Sequence, residues 1–178
     1  MNNSTQVTWP TATRILHWLS ALFIIGLFFL GLWMRSLDYY HPWYQHAPYL
    51  HKSFGLTLLL IFIVRLIFRK ISRIPPNLSS HQPWEIKIAH MTHRLLYLGL
   101  ILILTSGYLI ASADNRPISV FEFFEVPVIL TAFEQQEDWA GALHKWGAYI
   151  LMAVVTLHIL GALKHHFIDK DRTLKRML

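Results

Sequence analysis

Residues 139–163 read WAGALHKWGAYILMAVVTLHILGAL, and this stretch decides the kind of fold. Its only strongly polar side chains are His144, Lys145 and His158. A helix of about 20 apolar residues crosses a hydrocarbon core of about 30 Å. Backbone groups in lipid must be satisfied within the segment, which selects helix over any open structure. Three more stretches have the same character, at 15–34, 50–68 and 95–113. The first is too long for a signal peptide and is followed by aromatic residues rather than a small-residue cleavage site, so it reads as a retained helix. The expected architecture is all-α: a four-helix transmembrane bundle in one domain, 1–178, with helices over roughly 13–35, 49–70, 85–112 and 140–167.

Composition agrees with a chain that faces lipid. Of 178 residues, 54% are hydrophobic and 15% charged, with a mean hydropathy of +0.37, where a soluble domain carries about a quarter of its residues as charges. There is no cysteine, which excludes disulfides, thiolate nucleophiles, iron–sulfur ligation, thiolate-ligated haem and covalent haem attachment through Cys-x-x-Cys-His. No hydrolase triad, phosphate loop or dinucleotide fingerprint is recognisable.

The net charge of +6 is distributed by membrane side. The helix ends, loop and tail that would share one face hold 12 of the 16 basic residues, among them Arg14, Arg65, Arg69, Lys70, Arg73, Lys87, Arg94 and Lys164. The opposite face has Arg35, Lys52, Arg116 and Lys145. The positive-inside rule then puts both termini in the cytoplasm and explains the charge without nucleic acid. The outer loop 36–49 is rich in Tyr, Trp, Pro and His, and the loop 114–138 is long and acidic. Loops of that length are usually functional or locally folded.

Ionisable residues inside membrane helices are costly and by default mark function. His144 and His158 are 14 residues apart on one helix; four turns less about 40° puts them on nearly one face, about 21 Å apart along the axis. They cannot share a metal, but each can serve a separate centre near one membrane surface. His17 lies at the inner level on the first helix and His51 at the outer level on the second, pairing His17 with His158 and His51 with His144. The same 14-residue step relates His51 to Arg65, His17 to Gly31, and His93 to Gly107. Around a flat macrocycle, Gly31, Gly55, Gly107 and Gly147 would give room at the outer centre. Arg14 and Arg65 would face inner propionates, with Lys52 and Lys145 facing outer ones. His90 and His93 are rivals at the inner site, as hydrogen-bonding or quinone-lining residues. His165 and His166 read as interfacial, and His41, His46 and His81 as loop residues. Zinc wants three or four protein ligands; two imidazoles per level suit six-coordinate haem better.

The pattern resembles the bacterial cytochrome b-561 family over nearly the whole chain. The residues that carry the resemblance are Ile15-Leu16-His17-Trp18, His51-Lys52-Ser53-Phe54-Gly55, Val64-Arg65-Leu66, Leu143-His144-Lys145-Trp146, Leu157-His158 and Ala162-Leu163-Lys164-His165-His166-Phe167. The resemblance implies two non-covalent, bis-histidine b haems held by His17, His51, His144 and His158. It also implies electron exchange with ubiquinone and, for some members, oxidation of superoxide.

The outer loops hold seven acidic residues, counting Asp38, against few basic ones. An anionic substrate is drawn by a positive field, so quinone-linked exchange with a periplasmic redox or quinone-binding partner is favoured over superoxide oxidation. His93, Arg94, Lys164 and His165 form the expected quinone site at the cytoplasmic end. A histidine-lined metal or proton transporter is the alternative of a different class; it would need polar residues at intermediate depth, where Leu, Ile, Phe and Val dominate.

Overall fold

The computed structural model describes residues 8–130 and 133–178; residues 1–7 and 131–132, although inside the expected single domain, lie outside the described residues. Among the described residues four α-helices form, in the order α1 (Thr11–Met34), α2 (His46–Ile71), α3 (Pro83–Ala111) and α4 (Gln136–Phe167). Each starts two to four residues before the helix expected from the sequence. The turns that carry the chain out of the apolar region are still helical, and hydropathy has no signal for them. At α3 the reason is local. Pro83 occupies the first turn, where its missing N–H costs nothing. Gln82 and Glu85 close a capping box, with the Gln82 N–H donating to Glu85 Oε2 at 2.9 Å.

Among the described residues three helices, α1, α3 and α4, are long and apolar enough to cross a membrane. Their large apolar side chains point outward: Leu22, Phe29, Ile101, Ile150 and Leu157 are all exposed, which suits lipid contact and not water. α1 packs chiefly on α2, and α3 chiefly on α4. The bundle is therefore two antiparallel hairpins of helices with a slot between them.

The buried centre of that slot is Leu58 and Phe62 from α2, Leu100 from α3 and Leu151 from α4. Three of these sit halfway along the 14-residue steps: Leu58 between His51 and Arg65, Leu100 between His93 and Gly107, Leu151 between His144 and His158. Ile24, midway between His17 and Gly31, packs against the same cluster. A seven-residue spacing is two helical turns, so one apolar layer separates the two histidine levels. Two buried serine hydroxyls inside the helices are satisfied by carbonyls of their own helix. The Ser20 hydroxyl donates to Leu16 O at 2.6 Å and that of Ser106 to Ile103 O at 3.0 Å, the local back-bonding open to a hydroxyl in a helix.

The long loop between α3 and α4 is folded. β1 (Ile118–Val120) pairs antiparallel with β2 (Phe124–Val126). The turn between them has the Phe123 N–H bonded to Val120 O at 3.0 Å, with Phe121 and Glu122 at φ 48° and 60°. Such a turn normally takes Asn-Gly. Here Phe121 is held in place by α2: its N–H donates to Ser53 Oγ at 3.3 Å, and its ring meets Phe54 at 5.0 Å. Ile118 and Val120 are buried. Gln136, 2% exposed, donates to Leu109 O at 2.8 Å and accepts the Phe133 N–H at 3.3 Å, tying the loop's end to α3.

Candidate functional site

At the end of the bundle that bears the β-hairpin, the slot opens into a cavity of about 300 Å³ bordered by all four helices and by Ile118 of β1. His51 and His144 project into it from α2 and α4, with ring centroids 6.1 Å apart and planes at 76°. His17 and His158 face each other at the opposite end, with centroids 6.2 Å apart and planes at 81°. Metal–imidazole bonds of about 2 Å put two trans rings roughly 6 Å apart, centroid to centroid. Both pairs have that separation.

The His144 ring is oriented by its neighbours. Its Nδ1 lies 3.1 Å from Ile103 O and 3.1 Å from Ser106 Oγ. A carbonyl only accepts, so Nδ1 carries the proton and Nε2 is left with its lone pair. His51 Nδ1, by contrast, is buried with no hydrogen-bond partner.

Two glycines sit behind these rings. A Cβ on Gly31 would lie 3.2 Å from His51 Cε1, and one on Gly107 would lie 3.1 Å from His144 Cε1. Both border the cavity, on the side expected from the sequence; each also lets the Cε1–Nδ1 edge of an imidazole approach the neighbouring helix of its own hairpin. Gly55 borders the cavity with open space beside it. Gly147 does not border it; a Cβ there would meet Ile103 Cδ1 at 3.1 Å, so this glycine serves the contact of α3 with α4. The 14-residue step tracks facing but cannot tell which of two neighbouring helices a small residue touches.

Lys52 and Lys145 border the cavity as expected, and Lys145 Nζ lies 5.2 Å from the Trp146 ring centroid. Arg35, at the end of α1, joins them. The sequence placed Arg35 on this side but offered no spacing to assign it to the site. Ser106 and the Ile103 carbonyl were also missed; a serine mid-helix and a backbone oxygen carry no distinctive pattern.

At the other end Arg65 lies against an imidazole. Its Nη2 donates to His17 Nδ1 at 2.9 Å, and its guanidinium carbon is 5.7 Å from the Tyr97 ring centroid. His93 from α3 reaches the same group, its ring 5.4 Å from that of His158. Arg14 lies apart, in a shallow crevice with Trp18 and Leu178, its Nε buried and unbonded.

Three of the four residues expected around a quinone have other partners. His93 turns to His158, whereas Lys164 binds Glu85 at 2.6 Å and Asp169 at 2.7 Å. His165 Nδ1 meets Asp169 at 2.9 Å and Asp171 at 3.0 Å. Asp171 also bonds His81, a residue read from sequence as an unremarkable loop histidine. Burial pushes the Asp171 carboxyl up. Hydrogen bonds from the Thr173 backbone and side chain, with the nearby His165 and His81, outweigh this and hold it below the usual carboxylate range.

An apolar slot, facing imidazoles, an orphaned imidazole nitrogen and cations at the rim fit a flat, dianionic macrocycle with axial nitrogen ligands. A helical membrane bundle built in this way belongs to the class of membrane cytochromes. A family model described as prokaryotic cytochrome b561 matches residues 8–178, and the chain belongs to that family. It is similar to "Cytochrome b561 homolog 2" of Escherichia coli (strain K12), 51% identical over 162 residues, covering 91% of this chain and 86% of that protein. It is also similar to "Probable superoxide oxidase CybB" of Yersinia pestis, 29% identical over 167 residues, covering 92% and 91%. "Cytochrome b562" of Cereibacter sphaeroides is 27% identical over 176 residues, covering 95% and 96%. The chain is thus a membrane protein of electron transport that binds b-type haem.

Proposed function

We propose that the chain carries two non-covalent b haems, an outer one ligated by His51 and His144 and an inner one by His17 and His158, and exchanges electrons between ubiquinone and a redox partner at the periplasmic face. The observation that carries this is the near-identical separation of the two imidazole pairs, 6.1 and 6.2 Å, at opposite ends of one bundle. Bound haem iron supplies one-electron redox chemistry between its ferric and ferrous states.

The residues have separable tasks. Ile103 O and Ser106 orient His144 with Nε2 free for the metal. Lys52, Lys145 and Arg35 offer cations to the outer propionates. At the inner site Arg65 has donors only, so its bond to His17 Nδ1 leaves the proton of that ring on Nε2. Ligation of a haem iron through Nε2 would move that proton to Nδ1 and free Arg65, whose buried charge would then be available to an inner propionate. The layer of Leu58, Phe62, Leu100 and Leu151 keeps water from between the two levels. It also argues against a transporter with a histidine relay, which would need polar groups in that layer.

In this reading α2 is the fourth crossing and both termini are cytoplasmic, by the bias of Lys and Arg. Since Lys164 and His165 are engaged by carboxylates, the quinone headgroup is assigned to the side of His93 and Arg94. The name of the Yersinia relative supports a second reading, oxidation of superoxide. The acidic hairpin, with Glu122 in its turn and Glu125 in β2 paired to the strand whose Ile118 borders the cavity, disfavours an anionic donor. Near-diffusional reduction of the haems by superoxide in low salt would reverse this preference.

The test is a pyridine haemochrome assay with a reduced-minus-oxidised spectrum of purified protein. Two haems per chain are expected, with His144→Ala losing the outer and His158→Ala the inner. One haem in the native protein, or loss of both from either variant, contradicts the assignment.

A further inference from the structure

The basic end of the molecule has three acidic residues, Glu85, Asp169 and Asp171, and all three converge on His165 and Lys164. Such convergence is not needed by the haem sites. Lys164 accounts for Glu85 and Asp169. Asp171 accepts the Thr173 N–H at Oδ1, 2.7 Å, and turns Oδ2 to two imidazoles, 3.1 Å from His81 Nε2 and 3.0 Å from His165 Nδ1, with Thr173 Oγ1 also 3.0 Å from His81 Nε2. The Asp171, His81 and His165 side chains are 7%, 16% and 16% exposed, respectively. The two rings lie 4.7 Å apart, and the three ligating atoms fall within 4.8 Å of one another. Ligands on a tetrahedral metal at about 2.0–2.1 Å stand roughly 3.4 Å apart, so only the distance between the two histidines has to close.

We propose that His81, His165 and Asp171 form a binding site for a divalent first-row transition-metal ion of the zinc type, separate from the haem centres. Two imidazoles and a carboxylate are a donor set that such ions take, with a fourth position open to water. Asp169 stands beside that position, and Lys164 does not repel the ion strongly because Glu85 and Asp169 hold its charge. On binding, each imidazole moves its proton from the nitrogen that now bonds Asp171 to its other ring nitrogen, so that it ligates in the neutral form. The three ligands come from the α2–α3 connection, the last turn of α4 and the tail after it. That tail reaches the start of α1, where the Trp18 Nε1–H donates to Met177 O at 2.7 Å and the Trp9 N–H to Arg176 O at 3.2 Å. A bound ion therefore clasps the ends of three helices and the tail into one unit.

The experiment is calorimetric titration of haem-loaded, chelator-stripped protein without a histidine tag, in detergent, with zinc chloride. One zinc per chain is expected. His81→Gln and Asp171→Asn should each weaken binding by at least about 100-fold, since losing even an outer-shell partner costs about 10–100-fold. The control His41→Gln, on the opposite face, should be unchanged, as should the haem spectrum. Absence of saturable zinc binding, or binding indifferent to both variants, overturns the proposal. Should a variant lose its haem, carbethoxylation of the native protein decides the matter. Zinc should shield His81 and His165 from diethyl pyrocarbonate, as read by mass spectrometry, and no shielding overturns the site.

Discussion

Gly107 stands behind the His144 imidazole, and one added carbon there tests whether the ring's position matters to the outer haem. In Gly107→Ala the new Cβ lies 3.1 Å from His144 Cε1 and 3.4 Å from Nδ1. Carbon contacts are most favourable at about 3.5–4.0 Å, so the ring has to retreat by roughly half an ångström. It is not free to do so without loss. Nδ1 is held at 3.1 Å from both Ile103 O and Ser106 Oγ, and a retreat of that size brings one of these bonds near the limit at which it ceases to count. A neutral hydrogen bond is worth about 1 kcal/mol net, which corresponds to roughly a fivefold weaker hold on the outer haem. Gly31→Ala is the matched control. Its Cβ meets His51 Cε1 at 3.2 Å, but His51 Nδ1 has no bond to lose, so the ring yields at less cost. The assay is haem retention during dilution in detergent, followed by the reduced-minus-oxidised spectrum. Faster loss of one haem in Gly107→Ala than in Gly31→Ala is expected. Equal retention in both, or the reverse order, refutes the assignment of orientation to Ile103 and Ser106.

Three other substitutions probe different parts of the fold. Arg65→Gln removes a buried cation beside the inner pair, which should lower the inner haem's reduction potential and leave the outer one unmoved in a redox titration. Leu151→Ala opens the apolar layer between the histidine levels; a buried Leu→Ala change costs about 2–5 kcal/mol, to be read as a lower thermal midpoint with both haems initially present. Gln136→Ala leaves Leu109 O and the Phe133 N–H unsatisfied next to the hairpin. This should cost about 1–3 kcal/mol and raise protease sensitivity of the α3–α4 loop before that of the helices.

The helices were legible because lipid imposes one rule on every long apolar segment. The relatives and the family model place the chain among haem-b membrane proteins, as the quoted His17, His51, His144 and His158 segments had implied. The β-hairpin was not legible. A turn through Phe121 and Glu122 lacks the Asn-Gly signal, and Ser53 and Phe54 of α2 hold it from 67 or more residues away in sequence. The contact of His81 with Asp171 spans 90 residues and joins two segments that read separately as polar loop and basic tail.

The amino-acid sequence by itself determined the helices and the histidine levels. Helical rise and the cost of burying polar groups in lipid convert a 14-residue spacing directly into depth. Depth along an axis is a local property, set by residues on one helix. Which helix a side chain touches is not, because it depends on how the two helical hairpins dock. Only the tertiary structure therefore decided that Gly31 and Gly107 back the imidazoles and that Gly147 serves helix packing. For the same reason, only docking showed that His165 and Lys164 are held by carboxylates and not left facing a quinone.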